Sequence, residues 1–133
     1  MNTVLHTEAS PGWGGQEVRI LTEIDWLQAR GWRLLLACQP GSGILAHAPR
    51  VRVPVTPLSM RSPWDAIALA RLCGLIRRER VELVHTHSSV DGWLGGMAAR
   101  LAGVPVVRSR HVSIPVRRRW NPVYSLLADR IVA

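Results

Sequence analysis

The feature that most limits how this chain can fold is a regular alternation of two apolar patterns. Short β-type runs, Thr3 to Thr7, Arg33 to Cys38, Val51 to Val55, Glu82 to Thr86 and Val104 to Arg108, are separated by stretches with helical spacing. Such alternation predicts a parallel sheet, because parallel neighbours need long crossover connections and helices supply them. The helix expected over Gln16 to Arg30 gathers Ile20, Leu21, Ile24 and Leu27 on one face, and Gly31 is placed to close it. Gly41-Ser42-Gly43 turns the chain into a short helix. The next helix is expected to have Ser62 as N-cap and Pro63 at its first position, with Asp65 reaching back, and to run to about Arg80. Another covers Asp91 to Ala102 and ends at Gly103. Asn121-Pro122 starts a last helix, and Ile131 to Ala133 begins a sixth strand, so the chain is expected to stop mid-strand.

This order predicts an α/β fold, a Rossmann-like parallel sheet flanked by helices with strand order 3-2-1-4-5-6. Its switch point lies between the first and fourth strands, and ligands bind beyond the carboxyl ends there. With 133 residues the chain is about one domain, and 47 % apolar residues exclude a disordered chain. No apolar run approaches the ~18 residues that span a bilayer. Met1 to Ser10 has no basic residue ahead of an apolar stretch, so no secretory leader is expected. Cys38 and Cys73 lie in apolar segments and read as free thiols in a reducing compartment, which suggests the cytoplasm.

The glycine turn Gly12, Gly14, Gly15 follows a strand and opens a helix, so backbone N–H groups face the crevice and suit a phosphate. The bland alternative is a plain tight turn. The second strand ends Ala37-Cys38-Gln39, without the ribose-binding acid of a dinucleotide fold, which disfavours a dehydrogenase. His6, His85, His87 and His111 all fall near strand ends on one rim. No cysteine or carboxylate pair completes a metal set beside them, so no metal is expected. Ser88, Ser89 and Asp91 read first as N-capping residues, with Ser88 also able to offer a hydroxyl to a sugar or phosphate.

All 17 basic residues are arginine, against 9 acids, for a net charge of +8. The guanidinium fork suits anionic partners. The stretch Arg108, Arg110, Arg117, Arg118, Arg119, ending in Trp120, reads either as a solvated face or as a contact for a bilayer, a lipid-linked phosphate or a nucleic acid. No nucleic-acid-binding motif is present, so nucleic acid is not an expected partner. Trp64, Trp93 and Trp120 are either interfacial anchors or core residues.

Three segments taken together resemble glycosyltransferase family 4. Trp13-Gly14-Gly15-Gln16-Glu17 with Leu27-Gln28-Ala29-Arg30-Gly31-Trp32-Arg33 is similar to that family's opening strand, loop and helix. Arg80-Val81-Glu82-Leu83-Val84-His85-Thr86-His87 resembles its H-x-H strand, and Gly103-Val104-Pro105-Val106-Val107 followed by His111 resembles its G-[VI]-P strand. The resemblance implies the N-terminal half of a GT-B fold, with residues 1–133 as a single acceptor-side domain incomplete at its C-terminus. It implies retaining transfer from a nucleotide-sugar, which is a co-substrate, with no metal or other cofactor. Gly14, Gly15 and Gln16 would then form the donor diphosphate loop, His111 the catalytic position, and His87, Ser88, His85 and Arg110 the acceptor side. The acceptor would be a glycan or lipid-linked glycan of the cell envelope, with peripheral contact at the inner membrane face. A missing second domain would complete the donor site. The alternative from another class is a polyanion-binding module driven by the +8 charge.

Overall fold

The computed structural model describes residues 2–109 and 130–132. Its elements in chain order are β1 (Thr3–Glu8), α1 (Gly15–Gln28), β2 (Arg33–Cys38), α2 (Gly43–His47), a 3-10 turn (Ala48–Val51), β3 (Val55–Pro57), α3 (Ala66–Arg78), β4 (Leu83–Thr86), α4 (Ser89–Ala102), β5 (Val106–Ser109) and β6 (Arg130–Val132). All strands pair in parallel in the order β3-β2-β1-β4-β5-β6, as the alternation predicts. The switch point lies between β1 and β4, where His6 pairs in register with His85 and Thr7 with Thr86. The helix expected at Asn121-Pro122 lies outside the described residues.

Each face of the sheet has its own core. Val4, Leu34, Leu36 and Cys38 pack with Ile20, Leu21 and Ile24 of α1 and Ile44 of α2. On the other face Leu5, Leu35, Val84 and Val106 meet Leu72 and Ile76 of α3 and Leu94 and Ala98 of α4. Burial on both faces explains why β2 reads as a continuous apolar run. α4 lies very close to the sheet, and a Cβ on Gly95 would come within 2.8 Å of Thr86 Cγ2. Cys38 and Cys73 are free and buried.

Two local expectations need correction. The third strand is Val55–Pro57, not Val51 to Val55. Val51 instead ends a 3-10 turn, Arg52 takes the left-handed region at φ 57°, and Pro54 has no N–H to give to the ladder. Likewise the N-cap of α3 is Asp65, not Ser62. Asp65 Oδ1 accepts from Ala68 N–H at 3.1 Å and Oδ2 from Arg61 N–H at 3.2 Å. The carboxylate meets one first-turn N–H and also holds the incoming loop through Arg61 N–H, which a serine hydroxyl does less well. The same helix ends at Arg78, and Arg80 has φ 54°.

Candidate active site

The carboxyl ends of β1 and β4 lead into the two segments that frame the crevice. After β1 the chain runs through Gly12–Gly15 into α1, whose N-cap is Gly14 with no side-chain cap hydrogen bond. The N–H groups of that first turn are therefore not bonded by an N-cap side chain. Neither Gly14 nor Gly15 has a positive φ, and among the described residues nothing comes within 4 Å of where their Cβ would sit. The loop is fixed at its other end. Trp13 stacks on His47 of α2 with ring centroids 3.7 Å apart, and Gly43 N–H donates to Pro11 O at 3.1 Å. Gly43 is needed there: a Cβ would lie 2.6 Å from Trp13 Cβ and 2.7 Å from Gly12 O.

Glu8, the last residue of β1, is buried beneath this loop. One oxygen accepts from Ser10 N–H at 3.0 Å and the other from the Gln16 side-chain amide. Burial, then the nearby Asp91 carboxylate, push its carboxyl up to about 7.

Asp91 joins the two framing segments. As the third residue of α4 it forms a capping box with Ser88. Its carboxylate also accepts from Thr7 Oγ1 at 2.8 Å, Ala9 N–H at 3.2 Å, His87 N–H at 2.8 Å and Ser88 N–H at 2.9 Å. Asp91 is thus the bolt between β1 and the start of α4, and the Ser88 hydroxyl donates to it.

Three histidines lie on the α1 side of the switch point. His6, His85 and His87 are all buried, with ring centroids 4.3–5.1 Å apart. His6 Nδ1 and His87 Nε2 share a hydrogen bond of 2.8 Å. His85 bonds Ser109 Oγ through Nε2 and has Glu23 Oε1 of α1 at 3.4 Å from Nδ1. Desolvation, then the neighbouring His85, lower His6 to about 3, so it is neutral at any ordinary pH. These are the one set of three potential metal ligands among the described residues, with donor atoms within 4.8 Å of one another. The shared hydrogen bond takes up His6 Nδ1 and His87 Nε2, and Ser109 takes up His85 Nε2, while His6 Nε2 is buried with no hydrogen-bond partner among the described residues.

Sequence reasoning placed the histidines and the glycine loop at this rim, and the structure brings His6, His85 and His87 together there, while Arg110 and His111 lie outside the described residues, as do Arg117 to Trp120. It missed Glu8, Glu23 and Ser109. A single acid at a strand end has no spacing signature; the available signal was its place immediately before a glycine loop. Arg108, read as part of a basic surface, is instead buried, and its guanidinium donates to Ser88 O.

The family model for Glycosyltransferase Family 4 matches residues 13–133. This chain belongs to glycosyltransferase family 4. It is 32 % identical over 108 residues to the Escherichia coli UDP-Gal:alpha-D-GlcNAc-diphosphoundecaprenol alpha-1,3-galactosyltransferase, covering 78 % of this chain and 28 % of that protein. Among solved structures it resembles Acinetobacter baumannii MurG with a TM-score of 0.80 and 19 % identity, covering 98 % of this chain and 40 % of that one. Anabaena HepE in complex with UDP and glucose also gives a TM-score of 0.80, at 14 % identity, covering all of this chain and 38 % of that one. At these identities the structures speak for the fold alone. This family 4 chain spans between about a quarter and two-fifths of the length of these relatives.

Proposed function

We propose that this chain is the N-terminal, acceptor-side domain of a retaining glycosyltransferase. It would move a sugar from a nucleotide-sugar donor to a glycan or lipid-linked acceptor in cell-envelope synthesis, lipopolysaccharide included. The observation that carries this reading is the bare backbone at Gly14 and Gly15. Neither backbone strain nor packing among the described residues requires glycine there, which leaves close approach by a ligand as the reason for having no side chain. The uncapped first turn of α1 offers N–H groups and a positive dipole end to a diphosphate.

In this reading the bond between the anomeric carbon and the diphosphate oxygen breaks as the acceptor oxygen bonds to the same face of that carbon. The acceptor proton passes to the departing diphosphate. The glycine loop holds the growing negative charge on the leaving group, the kind of stabilisation that counts most when prearranged. On the family resemblance, His111 is the residue assigned to the reacting sugar. His87, Ser88, His85 and Arg110 shape the acceptor side, with Asp91 holding the first two in place. No resident cofactor takes part. A second Rossmann-like domain supplies the rest of the donor site, and the pair works at the cytoplasmic face of the membrane.

The direct test is transfer of labelled sugar by the full-length gene product from a panel of nucleotide-sugars to a diphosphoprenol-linked acceptor. Gly14→Val should lower turnover by at least tenfold while leaving the thermal midpoint nearly unchanged. Full activity in that variant would remove the loop from the mechanism. Tight, steeply salt-dependent binding of any polyanion, with no sugar transfer, would favour the binding-module reading instead.

A further inference from the structure

We propose that Glu8 sets which end of the Gln16 side-chain amide faces the glycine loop, and so couples anion binding there to uptake of one proton. This rests on the reading of that loop as the donor diphosphate site.

The argument begins with what a carboxyl group can do. Ionised, it only accepts hydrogen bonds; protonated, one of its oxygens donates. A primary amide has a donor end and an acceptor end, on opposite branches of one planar group. In the structure Glu8 takes the nitrogen of Gln16, the arrangement a carboxylate requires. The carbonyl oxygen of Gln16 is then turned away from Glu8. Gln16 is the second residue of α1 and only half-buried, so it is itself part of the uncapped first turn. A carbonyl oxygen there opposes a phosphate.

A proton on Glu8 reverses this. The acid hydroxyl donates to the Gln16 carbonyl, the amide turns over, and its NH2 faces outward beside the backbone N–H groups. The other Glu8 oxygen keeps Ser10 N–H in both states, so the loop itself need not move. The surroundings allow the change. Among the described residues, the titratable groups that act on Glu8 are Asp91 from α4 and Glu17 from α1, with the Cys38 thiol opposite it on β2. Burial among them pushes the Glu8 carboxyl up to about 7, and an arriving anion adds a further charge of the same sign. By linkage, a ligand that prefers the protonated form takes up a proton when it binds.

The test uses a nucleotide-sugar as probe, because its diphosphate diester has no group titrating between pH 6 and 8. Calorimetry on the full-length protein, in buffers of different ionisation enthalpy, should show uptake of about half a proton at pH 7, rising to nearly one at pH 8. Affinity should fall about tenfold from pH 6 to pH 8 if only the acid form binds. Both effects should vanish in Glu8→Gln, whose amide can donate at every pH, and shrink in Gln16→Ala, where only the repulsion between Glu8 and the anion is left. Wild-type binding with no proton uptake would overturn the proposal, as would a wild-type pH response in either variant. A ligand-free arm separates the two readings: selective 15N labelling of glutamine should show the Gln16 side-chain amide titrating near pH 7 in wild type and not in Glu8→Gln. A flat signal in wild type sinks the coupling. A titrating signal with no nucleotide-sugar bound at any pH keeps the coupling and removes the donor reading.

Discussion

Asp91 shows how much one side chain can hold. Its carboxylate serves the backbone N–H groups of Ala9, His87 and Ser88 together with two hydroxyls, all at the seam between β1 and β4. Asp91→Ala leaves all five donors without their partner; the two hydroxyls can turn elsewhere, and at ~1–3 kcal/mol for each N–H that stays buried a loss of about 3–5 kcal/mol is expected in a urea titration. A loss below 1 kcal/mol would mean water replaces the carboxylate freely. His6 and Glu8 give opposite pH slopes. His6 is lowered from 6.5 to about 3, so the unfolded chain takes up its proton first and stability falls as pH drops through that range. Glu8 is raised from 4.5 to about 7, so its contribution is full below 4.5 and lost as pH rises through 7. The two slopes oppose each other where the ranges overlap, and single variants are needed to separate them. Relative to wild type, Glu8→Gln should gain stability from pH 5 to pH 8, and His6→Asn should gain it as pH falls below 6. Parallel curves for wild type and both variants would show that neither group titrates as placed.

At the level of elements, the α3 and α4 pair carries a face that the core does not use. Trp64 is 82 % exposed, Ile67 68 % and Leu101 57 %, and Trp64 tilts against Trp93 at 5.9 Å beside a cavity of about 150 Å³. Exposed Arg61 and Arg71 lie on the same stretch of chain. If the protein meets an anionic bilayer as proposed, this is the surface for it, with the indole at headgroup depth. Flotation with anionic vesicles at low salt should retain the full-length protein, and Trp64→Ser with Ile67→Ser should lower retention at least fivefold. Equal flotation of variant and wild type would put the contact elsewhere. The elements were legible in the sequence where they follow from periodicity: β1, β2, β4, β5 and the helices between them. They were misplaced where local chemistry decides. Pro54 delays β3, and Asp65 displaces Ser62 because its carboxylate meets a first-turn N–H and the Arg61 N–H of the incoming loop together. The site divides along the same line. The histidines and the glycine turn stand at strand ends and could be found by counting. Glu8, Glu23 and Ser109 matter only through contacts made across the sheet, which no spacing along the chain encodes.

The molecule as a whole is two half-sheets joined at one ladder, with β2 and β3 on one side of β1, and β5 and β6 beyond β4. Both α1 and α4 start at that seam, but only α4 has its first turn capped by side chains. An anion entering the crevice therefore meets one satisfied helix end and one open one. Among the described residues no helix is long and apolar enough to cross a membrane. The stacking of Trp13 on His47 gives this arrangement a further property. An imidazole lying flat on an indole alters its emission, so Trp13 carries a built-in report on whether the loop at the crevice mouth rests on α2. A ligand that disturbs this contact changes that emission, and stopped-flow fluorescence can time the change with no dye attached. His47→Leu, which lacks the contact, would show which of the six tryptophans is speaking.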